Sequence, residues 1–234
     1  MINQIEIKKA ENKKPLNKIT KDLPEAPFRM VIAGPSNSGK THLLVDIMTR
    51  KNGYSSIFMK ENIIIFSSTY GLDDKFMKIK HEPSNVFNKF DPDIVEEIFK
   101  QQIAIKMSMP KRIAPVLIIF EDMASEQIFN RSKLMESLAF KSRHLQISFI
   151  ILTQKYTSIS TSLRRNADVT ILLSPRNFAE LDTIVEENFC KEDRKKAKNL
   201  MKDIFKKDFN NIMITYKRNY PKYKKNLTEV INIV

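Results

Sequence analysis

Short runs of consecutive apolar residues alternate along this chain with longer stretches whose apolar positions recur every three or four residues. Phe28 to Ala33 (FRMVIA) is the first run; Gly34 stops it, and Lys40 to about Arg50 continues as a helix. Asn62 to Phe66 (NIIIF) predicts a second buried strand, and 67–92 carries no regular pattern. Asp91-Pro92-Asp93 then opens a helix, with Asp91 as cap and Pro92 where its missing N–H costs nothing. Its apolar face uses Ile94, Ile98 and Ile105. Val116 to Phe120 is a third strand, followed by a helix from about Ser125 to Lys141 that carries Ile128, Leu134, Met135 and Leu138. Ile147 to Leu152 and Val169 to Leu173 are further strands, 177–188 and 191–207 are helical patterns, and Asn211 to Tyr216 closes the series. Apolar runs without polar alternation belong to strands covered on both faces. Alternation with amphipathic helices therefore predicts an α/β three-layer sandwich with a mostly parallel central sheet.

The composition sharpens this picture. With 234 residues and 42% hydrophobic content, the chain can bury a full core, which excludes wholesale disorder. No apolar run approaches the roughly 20 residues of a bilayer-spanning helix, so no membrane insertion is expected. The first residues lack the continuous apolar stretch of a secretory signal, and an intracellular location is expected. A single cysteine, Cys190, excludes an internal disulfide, and His42, His81 and His144 lack metal-ligand spacing.

Charge is unevenly spread. Of the net +13, the segment 191–225 supplies +9, from thirteen Lys and Arg against four acids, and residues 1–22 supply +3. We expect a basic flexible N-terminal arm over 1–22 and one domain over 23–234 that ends in a basic segment, 191–225. Tyr216, Tyr220 and Tyr223 interleave with Lys217, Arg218, Lys222, Lys224 and Lys225, which offers phosphate-pairing cations beside flat stacking faces. Terminal-strand tyrosines are equally ordinary packing residues. A polyanionic partner fits this balance.

The chemistry concentrates after the first strand. Gly34-Pro35-Ser36-Asn37-Ser38-Gly39-Lys40-Thr41 fits G-x-x-x-x-G-K-[ST] at every fixed position, with His42 directly behind it and a strand and a helix on either side. Such a loop wraps phosphate oxygens with backbone N–H groups at a helix N-terminus. Lys40 can reach the β- and γ-phosphates of ATP, and the Thr41 hydroxyl can ligate the Mg2+ that bridges them. The chain has four glycines, and two of them occupy the required positions.

The apolar strand ending at Phe120 delivers Glu121-Asp122, a Walker B pair. One acid would hold magnesium and its neighbour would orient or deprotonate the attacking water. The usual order is Asp before Glu; here it is inverted. By register Glu121 is the magnesium-side acid and Asp122 the catalytic candidate, although the two roles are exchangeable. Gln154 ends the next strand, where an amide can sense the γ-phosphate. Arg165, Arg164 and Arg143, in that order, are candidates for an arginine supplied to a neighbouring subunit.

FRMVIAGPSNSGKTHLL, VLIIFEDM, KSRHLQISFIILTQ and SLRRNADVTILL together resemble the genome-packaging ATPases of nucleocytoplasmic large DNA viruses and virophages, within the FtsK/HerA superfamily, over residues 28–175. The resemblance implies a P-loop NTPase with a RecA-like core, whose additional strand lies between the two motifs. It further implies a homo-oligomeric ring of five or six subunits, magnesium-dependent ATP hydrolysis, and translocation of double-stranded DNA into a preformed capsid. A capsid or portal vertex protein would be the partner, and the virus factory or virion the location. Rival readings are a helicase or recombinase acting on single strands, and a non-hydrolysing, nucleotide-gated DNA-binding protein in which the inverted acid pair has lost turnover. A nucleoside kinase does not explain the basic ends, and a transporter ATPase lacks its LSGGQ-type signature.

Overall fold

The buried runs all become neighbours in one sheet. The computed structural model describes residues 5–10, 19–71 and 74–233. In chain order it contains β1 (Arg29–Ala33), α1 (Lys40–Thr49), β2 (Ile63–Ser67), β3 (Val86–Phe87), α2 (Pro92–Ser108), β4 (Val116–Glu121), α3 (Gln127–Arg131) and α4 (Lys133–Lys141). There follow β5 (Ile147–Thr153), α5 (Thr161–Arg165), β6 (Val169–Leu173), α6 (Phe178–Asn188), α7 (Arg194–Phe205), β7 (Asn211–Thr215), β8 (Tyr223–Lys225) and β9 (Glu229–Val230). The sheet has nine strands in the order β3-β2-β4-β5-β1-β6-β7-β8-β9. All pairs from β3 to β6 are parallel, and those from β6 to β9 are antiparallel.

Successive side chains of a strand point to opposite faces, so each central strand feeds two cores. Val31, Ala33, Ile118 and Phe120 join a cluster with Ile98, Leu138, Ile184 and Met201 from α2, α4, α6 and α7. Met30, Ile32, Leu117 and Ile119 pack on the other side with Leu44, Ile47 and Met48 of α1 and with Tyr54, Phe58 and Phe76. This is the expected three-layer α/β sandwich. β5 lies between β1 and β4, so an additional strand separates the phosphate-loop strand from the one carrying the acids. Registers Ala33↔Thr153 and Glu121↔Leu152 bring the two motif ends to one edge of the sheet.

Four expectations need correction. The helix expected over 125–141 is broken: Ser132 accepts a hydrogen bond from the Leu134 N–H, and so ends α3 and caps α4. The irregular 67–92 segment contains a short edge strand, β3, paired with β2. The sheet also continues past Tyr216 through β8 and β9, where Lys224 and Tyr223 are buried. Finally, the described part of the basic arm is packed. Ile5 and Ile7 are buried in the core cluster, Gln101 of α2 bonds the Ile5 carbonyl (2.6 Å) and the Ile7 N–H (2.8 Å), and Asn62 brackets Lys8 through its N–H and carbonyl. Two isoleucines spaced by two residues form an apolar stripe that outweighs the neighbouring lysines. Residues 11–18 lie outside the described residues. No helix among the described residues is long and apolar enough to cross a membrane.

Candidate nucleotide site

At the edge where the parallel strands end, β1 passes into the loop 34–39. The Gly34 N–H donates to the Thr153 carbonyl (3.1 Å), and a Cβ on Gly34 would lie 2.7 Å from Leu173 Cβ, so only glycine fits. Gly39 turns with φ +96°, a left-handed conformation that glycine adopts without strain, and α1 begins at once with Lys40. The helix therefore presents its free N–H groups and positive dipole end to the loop interior. Lys40 is buried, and its Nζ donates to the Pro35 carbonyl (3.0 Å). Burial pulls this ammonium below the ordinary lysine range, the carboxylates of Asp122 and Glu121 oppose that pull, and Arg176 reinforces it.

Glu121 ends β4 with both oxygens engaged. Thr41 Oγ1 donates to Oε1 (3.1 Å), and Ser67 Oγ (2.5 Å) and Thr69 Oγ1 (3.0 Å) donate to Oε2. A phosphate-loop hydroxyl beside a fixed carboxylate is an all-oxygen set suited to magnesium, which takes a few protein oxygens and completes its shell from phosphates and water. Asp122 is different. Its backbone is left-handed (φ 55°), its N–H is held by the Leu152 carbonyl (3.0 Å), Oδ2 accepts from Gln154 Nε2 (3.1 Å), and Oδ1 is buried without a partner. Gln154 also accepts the Ser36 hydroxyl on Oε1 (2.9 Å). One amide thus ties the phosphate loop to the acid. Ser36, Asn37, Gly39, Lys40, Thr41, His42, Glu121, Asp122 and Gln154 line one cavity of about 410 Å³. Gly34 and Pro35 lead into the loop, and Ser38 lines a second cavity that shares Gly39 and His42 with this one.

The arginine candidates sit elsewhere. α5 precedes β6, so Arg164 and Arg165 lie toward the edge where the parallel strands begin, opposite the phosphate loop. Arg164 grips Glu187 through two bonds (2.9 and 2.6 Å) and stacks on Tyr156 with its guanidinium 5.2 Å from the ring centre. Arg143 pairs with the buried Asp168, which Arg29 also holds through Nε (3.0 Å) and Nη2 (3.1 Å). Arg165 is exposed, and its side chain makes no hydrogen bond or ion pair among the described residues. The tyrosine-lysine segment is partly engaged within the fold: Tyr223 is buried and stacks on Phe189 at 4.8 Å, Tyr220 accepts the Glu25 N–H (3.2 Å), and Lys217 Nζ donates to the carbonyls of Glu25 and Pro27 (2.5 and 3.1 Å), whereas Tyr216 and Arg218 are exposed.

Sequence reasoning passed over Ser67 and Thr69, which clamp Glu121, over Arg176, and over Lys75 and Phe209, which line the same cavity. The hydroxyls of Ser67 and Thr69 follow the NIIIF run and so stand at a strand end, the one signal that would have found them. Phe209 carries no such mark.

A family model described as Poxvirus A32 protein matches residues 17–224. The chain belongs to the poxvirus A32 protein family. This A32-family chain is 29% identical over 150 residues to the DNA packaging protein OPG160 of Vaccinia virus (strain Copenhagen), covering 62% of this chain and 52% of that protein. The chain spans about half the length of the curated relatives it matches. In fold it is similar to the genome packaging NTPase B204 of Sulfolobus turreted icosahedral virus 2, solved in complex with AMPPCP, at TM-score 0.57 and 15% identity over 88% of this chain and 98% of B204. It also resembles the pCW3 conjugation coupling protein TcpA, solved with ATPγS, at TM-score 0.55 and 12% identity over 88% of this chain and 61% of TcpA. The fold class is therefore that of the P-loop ATPases.

Proposed function

We propose that this protein is a magnesium-dependent ATPase that translocates double-stranded DNA into a preformed viral capsid. The observation that carries the chemistry is the line Ser36–Gln154–Asp122, which couples a phosphate loop to a carboxylate with an unpartnered oxygen. Membership of the A32 family, and a relative named as a DNA packaging protein, support the packaging role.

In this reading Gly34 to Thr41, with His42, hold the triphosphate, and Lys40 offsets charge on its β- and γ-phosphates. Thr41 and Glu121, with Asp122 the next residue along, would hold magnesium, which would withdraw charge from the transferring phosphoryl group. Gln154 positions the water, and Asp122 Oδ1 accepts its proton as the oxygen attacks the γ-phosphorus and the bond to the β–γ bridging oxygen breaks, so that ADP leaves with that electron pair. Arg165, exposed at the far edge, is the arginine free to reach a neighbour's site in a ring of five or six copies; Arg164 and Arg143 are held by Glu187 and Asp168. Exposed Lys191, Lys195, Lys196 and Lys207 supply sequence-independent contacts to DNA phosphates. A capsid or portal vertex protein completes the assembly, in the virus factory of an infected cell or in the virion.

The test is ATP hydrolysis with magnesium, without DNA and with duplex or single-stranded DNA, alongside Lys40→Ala and Asp122→Asn. Turnover stimulated by duplex and lost in both variants is expected. Preference for single strands, with strand separation, would replace the packaging reading by a helicase. Tight ATP binding without phosphate release under every condition would replace it by a nucleotide-gated binding protein.

A further inference from the structure

The direction of β7 brings a late piece of chain to the phosphate loop. Because β7 runs antiparallel to β6, the turn that enters it, 206–210, arrives at the edge where β1 and β6 end. That turn is pinned: Asn210 Nδ2 donates to the Ile204 carbonyl (2.8 Å), and Asn226 Nδ2 donates to Asn210 Oδ1 (2.9 Å). Phe209 sits on it with φ +64°, a strained conformation for a bulky residue, and is 70% exposed. The ring stands over Gly39, where a Cβ would approach Phe209 Cδ1 to 3.1 Å.

Below the ring lies a second cavity of about 420 Å³, floored by Leu43 and Leu173 and bounded by Ser38 and Asn211. It shares Gly39, His42 and Phe209 with the phosphate cavity, so one ligand can occupy both. Asn211 is 6% exposed, and its Oδ1 has no hydrogen-bond partner; Ser38 Oγ is likewise buried without one. A flat ring left in the open and a buried acceptor left unsatisfied call for a ligand that is planar and donates a hydrogen bond.

We propose that this cavity is the nucleobase pocket, in which Phe209 stacks on adenine and Asn211 Oδ1 accepts from its exocyclic amino group. The proposal rests on the reading that the phosphate loop takes ATP. Guanine would present a carbonyl oxygen where adenine presents the amine, so Asn211 sets a preference for ATP over GTP.

The chain contains no tryptophan, so Phe209→Trp installs a single fluorescent reporter at an exposed position. The variant is titrated with ATP, GTP and inorganic tripolyphosphate in magnesium buffer, with calorimetry of the wild type and of Phe209→Ala and Asn211→Leu in parallel, and thermal melts to confirm folding. ATP is expected to quench the indole fluorescence, while tripolyphosphate binds without quenching. Phe209→Ala should weaken ATP about tenfold, as loss of a base stack does, and leave tripolyphosphate affinity unchanged. Asn211→Leu should narrow the ATP-over-GTP preference. If the wild type binds ATP while the emission of the Phe209→Trp variant stays constant and Phe209→Ala binds ATP normally, the pocket assignment is overturned. If the wild type binds no ATP at all, the nucleotide reading falls, and this inference falls with it.

Discussion

The two edges of the sheet hold similar residue types in opposite conditions. Where the parallel strands begin, Asp168 is 3% exposed in its side chain and surrounded by Arg29 and Arg143, with every carboxylate oxygen engaged. Where they end, Asp122 keeps one oxygen without a partner, and Lys40 is buried with a single carbonyl as its hydrogen-bond acceptor. A satisfied buried carboxylate holds the fold together. An unsatisfied one, close to a buried lysine, stores an interaction for something that arrives later. The same division separates the arginines: Arg143 is tied to the buried Asp168 and Arg164 to Glu187 of α6, and Arg165 at the surface remains available to another molecule.

Neutralising one acid at each edge should break this contrast in opposite directions. Asp122→Asn is expected to lower kcat about 100- to 10,000-fold, the range for a lost general base, while leaving the melting temperature unchanged or raised; single-turnover hydrolysis beside a thermal scan measures both. Asp168→Asn should do the reverse. Removing one partner of a buried ion pair costs about 3–5 kcal/mol, read by urea unfolding, with turnover per folded molecule little changed.

The pH dependence sharpens the same point. Burial pushes the Asp168 carboxyl up, but Arg29 and then Arg143 outweigh it and hold the group below its ordinary 3.8. Its stabilisation is present above that value and is lost as pH falls through the lower folded one. Acid unfolding should therefore begin at a higher pH in Asp168→Asn than in the wild type. The smallest effect is expected from Ser36→Ala, which removes one exposed hydrogen bond to Gln154. A bond of that kind contributes at most about 0.5–1.5 kcal/mol, so turnover should fall severalfold with only a small change in the urea midpoint. A drop as large as that of Asp122→Asn would mean that Gln154 is positioned by Ser36 alone.

Local signals made the parallel half of the molecule readable. Runs such as VLIIF and FIILT specify buried strands through composition alone, and the spacing of Gly34, Gly39 and Lys40 carries its own geometry. The cap at Asp91 was equally local, with Asp93 N–H bonded to its side chain at 2.9 Å. Pairings set by distant residues were not readable. Charge hid the partner of Ile5 and Ile7 on α2, and β8 reads as a lysine-rich tail because Lys224 finds its cover from Asp22 and from the flanking strands β7 and β9. The acid pair shows both sides of this limit. Its place at the end of β4 follows from the run, whereas the clamp on Glu121 depends on Ser67 and Thr69, more than fifty residues earlier. Arg164 looked available in sequence for the same reason, since Glu187 joins it only after β6 and α6 are laid down.

The reversal of strand direction at β7 also orders events during synthesis. Chains emerge from the ribosome N-terminus first and domains form as their parts become available. The phosphate loop, the acids and Gln154 are all made before residue 174, whereas the ring over Gly39 arrives only with residue 209. The residues that cradle phosphate are thus synthesised well before the residue that walls the base. Selectivity among nucleotides therefore depends on a later piece of chain than the grip on phosphate does, and the two can be lost separately.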